Sequence, residues 1–422
     1  MSNGNTQERV IAIHKQRNYN IQNDLDDVIQ MQQVQVTHDE SFPREALQTI
    51  PTHQSPIATI ITGVRRCGKS TFAEQLMARY QDDSLLLNFD VPRLYGFQMD
   101  DFRRLDTIIA ERGCRHLFFD EIQVVQGWEL YINQKLQEGF QVVITGSNAS
   151  LLSRELGTHL TGRHVDSVLY PFSYTEYCGI RDVDTSAETF NDYLNTGGFP
   201  AYIRWQDERL LNELANDILY RDILVRYNIR DEKPIKNLLL FVMANIGNRI
   251  SATRLVDVIG VKTTNTVVDY LTYLENTYLL QLVPKFSYSY RAQLISPKKM
   301  YCIDTGLHNA LSPSSSQDRG HKLENAVYLA LRRQGYEVFY FEEERKECDF
   351  VLCRHNHPEA VVQVCLELNS DNEARELGGL TQAMDYFNLT QGLILTENQE
   401  DEIHQDKRTI YITPVWKWLT KE

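Results

Sequence analysis

The stretch Gly63-Val-Arg-Arg-Cys-Gly-Lys-Ser-Thr71 is the part of this chain that decides its fold. It fits the pattern G-x-x-x-x-G-K-[ST] of a phosphate-binding loop, and the apolar run at 57–61 predicts the strand that must precede such a loop. Gly63 and Gly68 allow successive backbone N–H groups to curve around phosphates, at the positive end of a helix that begins near Ser70. We therefore expect a nucleoside triphosphate to be bound by Gly63, Arg66, Cys67, Gly68, Lys69, Ser70 and Thr71.

A second motif, His116-Leu-Phe-Phe-Asp-Glu121, is an apolar run that ends in two carboxylates. This pattern is typical of a Walker B strand, which lies beside the phosphate-binding loop in P-loop enzymes. In this interpretation Ser70 and Asp120 bind Mg²⁺, and Lys69 holds the phosphates. Glu121 then polarises the attacking water. The alternative is that the two acids cap the following helix, but the upstream loop favours the Walker B interpretation.

Small polar residues follow the next predicted strand, at Gly146-Ser147-Asn148. Asn148 or Ser147 is placed to sense the γ-phosphate, and the alternative is a turn with a helix cap. Arg163 and Arg154 lie further on and are candidate arginine fingers. A guanidinium brought to the γ-phosphate by a neighbouring subunit stabilises transition-state charge, although a lone arginine is more often a solvated surface residue.

The composition limits the class of protein. The chain has 422 residues, of which 42% are hydrophobic, so it is long enough for several compact units with ordinary cores. No apolar run approaches the ~20 residues of a membrane span, and residues 1–30 do not resemble a signal peptide. The seven cysteines are scattered, which favours a reducing cytoplasm and no zinc site. The net charge of −14 argues against a protein that coats nucleic acid, so any DNA contact needs a local basic patch.

Strands alternate with helical stretches from residue 57 to about 170, an order that predicts an α/β fold with a parallel sheet covered by helices on both faces. The strands are expected at Ile57–Thr62, Leu85–Phe89, His116–Asp120, Val142–Thr145 and Val165–Tyr170.

Residues 235–283 have the spacing of a helix-turn-helix. Ser251 caps a helix at Ala252–Ile259, Gly260 makes the turn, and a second helix runs from Thr263 to Glu275. Two strands are then expected at Leu280–Phe286 and Leu294–Ile303, with basic residues near their connection, as in a wing.

A DNA-binding interpretation assigns roles to residues of this helix-turn-helix and of the expected wing. Lys262, Thr263, Thr264 and Asn265, at the front of the second helix, would face a major groove. The phosphates would be contacted by Lys285, Arg291, Lys298 and Lys299. The alternative is a module for protein interaction or oligomerisation, because the second helix carries Asp269 and Glu275 and has few basic residues.

Several motifs in the chain carry a family resemblance, which covers roughly residues 55 to 420. They are Gly63–Thr71, Phe118–Gln123, Ile144–Ser147, Leu160–His164, Tyr170–Glu176, Gly197–Pro200, Tyr220–Ile223, Tyr301–Gly306 and Glu347–Phe350. Together they resemble bacterial and archaeal AAA+-type ATPases with a conserved C-terminal domain of unknown function. The resemblance implies a P-loop NTPase core that binds ATP and Mg²⁺, a helical lid, a winged helix and a degenerate nuclease-like tail. It also supports Arg163 as the finger, because the Gly-Arg pair occupies the matching place.

The expected organisation has five segments. They are a polar helical segment at 1–50, the P-loop AAA+-type core at 51–177, the helical lid at 178–234, the winged helix-turn-helix at 235–312 and an α/β nuclease-like domain at 313–422.

The last segment follows the residue order of a PD-(D/E)XK nuclease core, with Glu324, Asp349 and Gln363 at the acidic positions. Such a site needs oxygen ligands for Mg²⁺ and a lysine that positions the attacking water. Cys365 stands where the lysine belongs, and a thiol cannot replace an ammonium. The sequence therefore favours an inactive nuclease fold, although the three residues can retain a metal or partner, and Lys346 is a candidate displaced lysine.

The leading functional prediction is a cytoplasmic homo-oligomeric ATPase. Its hydrolysis cycle would reposition the winged-helix and tail domains, with double-stranded DNA as a possible partner and no membrane association. ATP is favoured over GTP because no Asn-Lys-x-Asp sequence is present to recognise guanine. One alternative is a nucleotide-gated scaffold or signalling ATPase that binds a protein partner and not DNA. A third and less favoured interpretation is an ATP-dependent endonuclease.

Overall fold

The structure is a computed structural model that describes residues 25–34, 41–49, 57–80, 83–147, 162–312, 319–405 and 407–420. The described chain forms two compact units. The first extends to Leu169, except for Val64–Cys67, which belong with Tyr170 and the rest of the chain to the second. Of the predicted polar segment at 1–50, the structure describes a helix at 25–34 and a 3-10 turn at Glu45–Gln48.

The first unit is built on five parallel strands. They are β1 (Ala58–Thr62), β2 (Ser84–Asn88), β3 (His116–Asp120), β4 (Gln141–Gly146) and β5 (His164–Val168). Their order in the sheet is β2-β3-β4-β1-β5, and every neighbouring pair is parallel. All five residues of β1 are buried, as expected for a central strand covered on both faces. The predicted parallel α/β sheet is confirmed.

Helices and short 3-10 turns connect these strands. The helices lie at Lys69–Met77, Phe102–Arg112 and Trp128–Gln137, with turns at Pro92–Leu94, Met99–Asp101 and Ile122–Val124. The rings of Phe102 and Tyr131 stack with their centroids 3.9 Å apart, and Trp128 is fully buried in the same apolar core. The amphipathic pattern of these helices thus holds them against the sheet.

The second unit begins with helices. They lie at Tyr174–Arg181, Ala187–Thr196, Pro200–Trp205 and Arg209–Asp217, followed by a π-helix at Ile218–Val225. The first is capped by two reciprocal hydrogen bonds: Glu176 N donates to Ser173 Oγ (3.1 Å), and Ser173 N donates to Glu176 Oε2 (2.8 Å). The Ser-x-x-Glu part of the motif Tyr170–Glu176 is therefore a capping box.

The glycines of two other motifs are positions of close backbone approach. A Cβ on Gly198 would lie 2.2 Å from the carbonyl oxygen of Phe172, and one on Gly306 would lie 2.0 Å from that of Thr196. Asp304 joins the two motifs, since its Oδ2 accepts a 2.6 Å hydrogen bond from Gly198 N. These motifs therefore hold the helices that follow Tyr170 against the helix Thr305–Leu311.

Five helices and three strands follow within residues 233–311. The helices lie at Lys233–Met243, Ala252–Ile259, Thr264–Asn276, Tyr290–Ile295 and Thr305–Leu311, and the strands are β6 (Arg249–Ile250), β7 (Leu280–Val283) and β8 (Lys298–Cys302). The sheet is antiparallel, with the order β6-β8-β7. The strand predicted at Leu294–Ile303 is wrong in its first part, because a helix at Tyr290–Ile295 takes its place. Ser289 caps this helix by accepting a hydrogen bond from Ala292 N.

The C-terminal part is a mixed sheet with helices. Its strands are β9 (Glu337–Glu343), β10 (Lys346–Arg354), β11 (His357–Val364), β12 (Gln391–Thr396), β13 (Asp401–Gln405) and β14 (Arg408–Pro414). Their order is β13-β14-β12-β11-β10-β9. Its helices lie at Arg319–Arg333, Glu373–Phe387 and Val415–Trp418. Across the described ranges, no helix combines the length and apolar character needed to cross a membrane.

Candidate functional site

The loop between β1 and the helix Lys69–Met77 has the backbone geometry of an anion-binding turn. Gly63 and Gly68 have φ angles of 152° and 98°, which favour glycine, and Arg66 adopts a φ of 62°. Gly68 immediately precedes the helix, so the positive end of the helix dipole faces the loop. The glycines of the sequence pattern thus lie where the loop needs backbone angles that other residues rarely adopt.

Two predicted residues meet where the loop and the Walker B strand end. Ser70 Oγ donates a 2.6 Å hydrogen bond to Asp120 Oδ2. The side chain of Lys69 is buried, and its Nζ donates to Gly63 O at 3.1 Å. A hydroxyl and a carboxylate oxygen are ligands that Mg²⁺ prefers, so this pair fits the metal that the motif implies.

Two further residues hold Asp120, and the sequence analysis missed both. Asn88 Nδ2 donates to Asp120 Oδ2 at 2.8 Å, and the Thr145 hydroxyl donates to Oδ1. Asn88 ends β2 and Thr145 lies near the end of β4, the two strands that flank β3. Because the carboxyl ends of parallel strands meet at one edge of a sheet, polar residues at these ends were the available signal.

Glu121 follows β3 in a left-handed backbone conformation, with φ of 53°. Its main-chain N–H donates to Thr145 O at 3.0 Å, and its Oε2 accepts a hydrogen bond from the Gln123 amide. The chain therefore turns sharply at the carboxyl edge of the sheet and anchors Glu121 beside Asp120. Gln123 was not predicted as a site residue.

The predicted sensor and finger residues have different outcomes. Ser147 is buried directly after β4, whereas Asn148 and Arg154 lie outside the described residues. Arg163 is exposed and donates to Asn133 Oδ1 at 3.3 Å. Its carbonyl accepts from the N–H of Ala58, the first residue of β1. Arg163 therefore lies beside the first residue of β1, whereas the phosphate loop follows the last. At ~3.3 Å per residue, the length of β1 places the backbone of Arg163 more than 13 Å from the loop of the same chain.

The loop residues Val64–Cys67 make their ion pairs within the second unit. Arg65 forms a bidentate pair with Asp222, with Nε and Nη2 at 2.9 and 2.8 Å from the carboxylate oxygens. Arg66 pairs with the more exposed Asp217 at 2.8 Å. Asp222 belongs to the motif Tyr220–Ile223, to which the sequence analysis gave no role, and it lies in the π-helix.

The predicted acidic residues of the C-terminal part lie together in the structure. Asp349 N donates to Gln363 Oε1 at 3.2 Å, and the Gln363 amide donates to Glu376 Oε2 at 2.6 Å. Glu324 and Asp349 are joined by Lys299, whose Nζ donates a hydrogen bond to each of them. Cys365 is buried in the neighbouring apolar core and also lines the cavity beside these residues.

The cation in this cluster is Lys299, and its prediction as a DNA-phosphate contact is wrong. Only 4% of its side chain is exposed, and its Nζ lies 2.7 Å from Glu347, 2.8 Å from Asp349 and 3.0 Å from Glu324. We call Lys299 and these three carboxylates the acidic centre. Burial favours a lower pKa for Lys299, but the charges of Asp349 and Glu324 outweigh it and hold the pKa well above its usual range. Burial raises the pKa of Glu324.

The other predicted DNA contacts are more accessible. Lys262, Asn265 and Arg291 are exposed and Lys298 is half-buried, whereas Lys285 lies 3.7 Å from Glu342. The acid beside Lys285 therefore offsets one of these positive charges.

The described residues contain no group of three or more His, Cys, Asp or Glu side chains arranged to hold a metal ion. In the acidic centre, the carboxylates surround an ammonium instead.

Comparison with known proteins finds two family matches. Residues 55–178 match the family described as AAA domain, and residues 187–318 match the Domain of unknown function (DUF8612). The first match covers β1 to β5 and both nucleotide motifs. The second covers most of the helices that follow and the three-stranded sheet.

Two curated relatives align with most of the chain. An uncharacterized protein of Methanocaldococcus jannaschii is 32% identical over 395 residues, which cover 85% of this chain and 87% of that protein. An uncharacterized protein of Haemophilus influenzae is 30% identical over 343 residues, covering 76% and 85%. Among solved structures, the ADP form of the Aeropyrum pernix ORC2 protein is similar over 59% of this chain and 90% of that one. Its identity is 14% and its TM-score of 0.32 is too low to support a shared function.

Proposed function

The chain belongs to one family with the uncharacterized proteins of M. jannaschii and H. influenzae, and, since it carries an AAA domain, we propose that it binds ATP with Mg²⁺ and hydrolyses the ATP. The observation that carries the proposal is the hydrogen bond from Ser70 to Asp120, which joins the phosphate loop to the Walker B strand. Bound Mg²⁺ would supply positive charge to the phosphates.

Different residues bind the phosphates, hold the metal and orient the metal ligand. Lys69 and the loop N–H groups bind the phosphates, and Ser70 and Asp120 hold the metal. Asn88 and Thr145 orient Asp120, which leaves its carboxylate fixed at the edge of the sheet.

Glu121 is the proposed base that orients the attacking water. Its main chain is fixed by Thr145, and Gln123 contacts its carboxylate. Changing Glu121 to Gln keeps the shape of the side chain but removes its ability to accept a proton. The variant should therefore retain ATP binding and lose turnover.

The test is steady-state ATP hydrolysis by wild type and Glu121→Gln, with binding measured separately by a fluorescent ATP analogue. Glu111→Gln, an exposed change of the same chemistry on the helix Phe102–Arg112, is the matched control. We expect normal hydrolysis in the control and at least a 100-fold loss in Glu121→Gln with unchanged binding, since a general base contributes roughly 10²–10⁴-fold. Wild-type turnover in Glu121→Gln would refute the assignment.

The proposed assembly is a homo-oligomer in which Arg163 acts on the nucleotide of a neighbouring subunit. This is supported by its exposure and by its distance from the loop of its own subunit. Specific activity should then rise with protein concentration in the wild type but not in Arg163→Ala. A concentration-independent activity would remove the finger from the proposal.

Hydrolysis is proposed to reposition the segment at 235–312 and the tail, with duplex DNA as the partner. Lys262, Asn265, Lys285, Arg291 and Lys298 remain the proposed contacts. The double change Lys285→Glu with Lys298→Glu should abolish a mobility shift with duplex DNA. Unchanged affinity would show that this surface does not bind DNA.

The second candidate is a nucleotide-gated scaffold that binds a protein, and one observation favours it. The helix Tyr290–Ile295, at the place expected for a basic wing, exposes Tyr290 and Ile295 by 73% and 76%. Tyr288 and Leu294 add to this apolar surface. Exposed apolar patches are typical of protein contacts, so hydrolysis that does not respond to duplex DNA would support the scaffold.

A further inference from the structure

The acidic centre joins two parts of the second unit through one buried cation. Lys299 lies on β8, where it pairs in register with Arg249 of β6 and Val283 of β7. Its carboxylate partners come from elsewhere: Glu324 lies on the helix Arg319–Arg333, and Glu347 and Asp349 lie on β10.

The ammonium of Lys299 is held by these partners. Its Nζ donates hydrogen bonds to Glu324 at 3.0 Å and to Asp349 at 2.8 Å, and a Glu347 oxygen lies 2.7 Å away. With only 4% of the side chain exposed, Lys299 lies among these carboxylates, and together with them it lines a cavity of about 720 Å³.

Other contacts fix the carboxylates around this ammonium. Tyr301 donates to Glu324 Oε1 at 2.6 Å, and Val364 N donates to Asp349 Oδ2 at 3.0 Å. The outer oxygen of Glu347 lies 3.2 Å from Arg249. The carboxylates are therefore held in place independently of Lys299, as the ligands of a cation site would be.

We propose that Lys299 is a built-in cation that keeps the acidic centre closed to divalent metal ions. A divalent ion that used the same oxygens would have to share their volume with the ammonium, and the two cations would repel each other. A metal ion can enter only if Lys299 moves away from the carboxylates together with β8. Metal binding at the acidic centre would therefore indicate that β8 has moved. This inference does not depend on ATP hydrolysis.

The test measures Mn²⁺ binding by electron paramagnetic resonance in the full chain without nucleotide. All variants carry Asp120→Asn, which removes the carboxylate of the phosphate-loop site. We expect Lys299→Met to bind Mn²⁺ at least ten-fold more tightly than the parent, and the neighbouring Lys298→Met to behave as the parent. Adding Asp349→Asn to Lys299→Met should remove the gain.

Three results would overturn the proposal. The first is equal Mn²⁺ affinity in the parent and Lys299→Met. The second is Mn²⁺ binding by the parent that Asp349→Asn abolishes. The third is Mn²⁺-dependent plasmid nicking by the wild type that is lost in both Lys299→Met and Asp349→Asn, because Lys299 would then belong to a working nuclease site.

A measurement on the wild type decides the matter if Lys299→Met does not fold. Amine acetylation followed by mass spectrometry should label Lys299 at least ten-fold more slowly than the half-buried Lys298. Equal labelling rates would show that the ammonium is accessible, and the proposal would fail.

Discussion

Two adjacent glycines on one helix make a matched pair of substitutions with opposite expected effects. Gly378 and Gly379 both lie inside the helix Glu373–Phe387. A Cβ on Gly378 would lie 3.8 Å from the Lys346 side chain, which is an ordinary contact. A Cβ on Gly379 would lie 1.9 Å from the carbonyl oxygen of Glu347, on β10. Only the second glycine is required by packing.

The magnitudes follow from these contacts. Alanine in a helix interior is favoured over glycine by about 1 kcal/mol, so Gly378→Ala should be neutral or stabilising. Gly379→Ala gains the same free energy of about 1 kcal/mol from helix propensity. However, its Cβ would lie 1.9 Å from the Glu347 oxygen, so the helix must move by about 1.5 Å to restore an ordinary contact of 3.4 Å. That movement disturbs Leu380 and Met384, which are fully buried against the sheet. Overpacking that shifts side chains and backbone costs about 1–3 kcal/mol, so after the gain from alanine we expect a net loss of up to about 2 kcal/mol.

Thermal unfolding monitored by circular dichroism measures the difference. Gly378→Ala should leave the midpoint unchanged or raise it by up to about 4 °C, whereas Gly379→Ala should lower it by up to about 8 °C. Because Glu347 holds Lys299, acetylation of Lys299 should also become faster in Gly379→Ala. Equal midpoints for the two variants would refute the packing argument.

Two further predictions concern buried charge in the second unit. Asp222→Asn breaks the bidentate pair with Arg65 and should destabilise the protein by about 1–3 kcal/mol in urea unfolding, whereas Asp217→Asn, at the exposed pair with Arg66, should cost under about 0.5 kcal/mol. Equal effects would contradict this ranking. Burial raises the pKa of Asp304 to about 6, so the folded state binds the extra proton. The stability from this group is therefore full in acid and lost as the pH rises through 6, a decrease of about 1 kcal/mol from pH 5 to 7 that should be absent in Asp304→Asn. An unchanged pH slope in that variant would assign the effect to another group.

Much of the first unit could be predicted from the sequence, because its signals are local. The phosphate loop requires glycines at fixed positions, and the apolar runs around it read directly as buried parallel strands. Asp120 was predicted for the same reason, since it directly follows such a run. Asn88 and Thr145 were not predicted, because only the order of the strands shows that both lie beside Asp120.

The second unit was less predictable, because its decisive contacts join residues far apart in the chain. Lys299 sits in a basic stretch that suggests a DNA surface, and only folding brings it to Glu324 and Asp349, 25 and 50 residues away. Arg65 and Asp222 are 157 residues apart. Leu294 and Ile295, the last two residues of the helix Tyr290–Ile295, were predicted as strand because apolar and β-branched residues are typical of strands.

The position of Lys299 also has a practical consequence for work with parts of this protein. A fragment that starts at the helix Arg319–Arg333 would include Glu324, Glu347 and Asp349 but would leave their counter-ion behind. Its carboxylates would repel one another, and they would recruit cations from the buffer. Metal affinity or nuclease activity measured on such a fragment would belong to the truncation, so the tail has to be assayed together with β8.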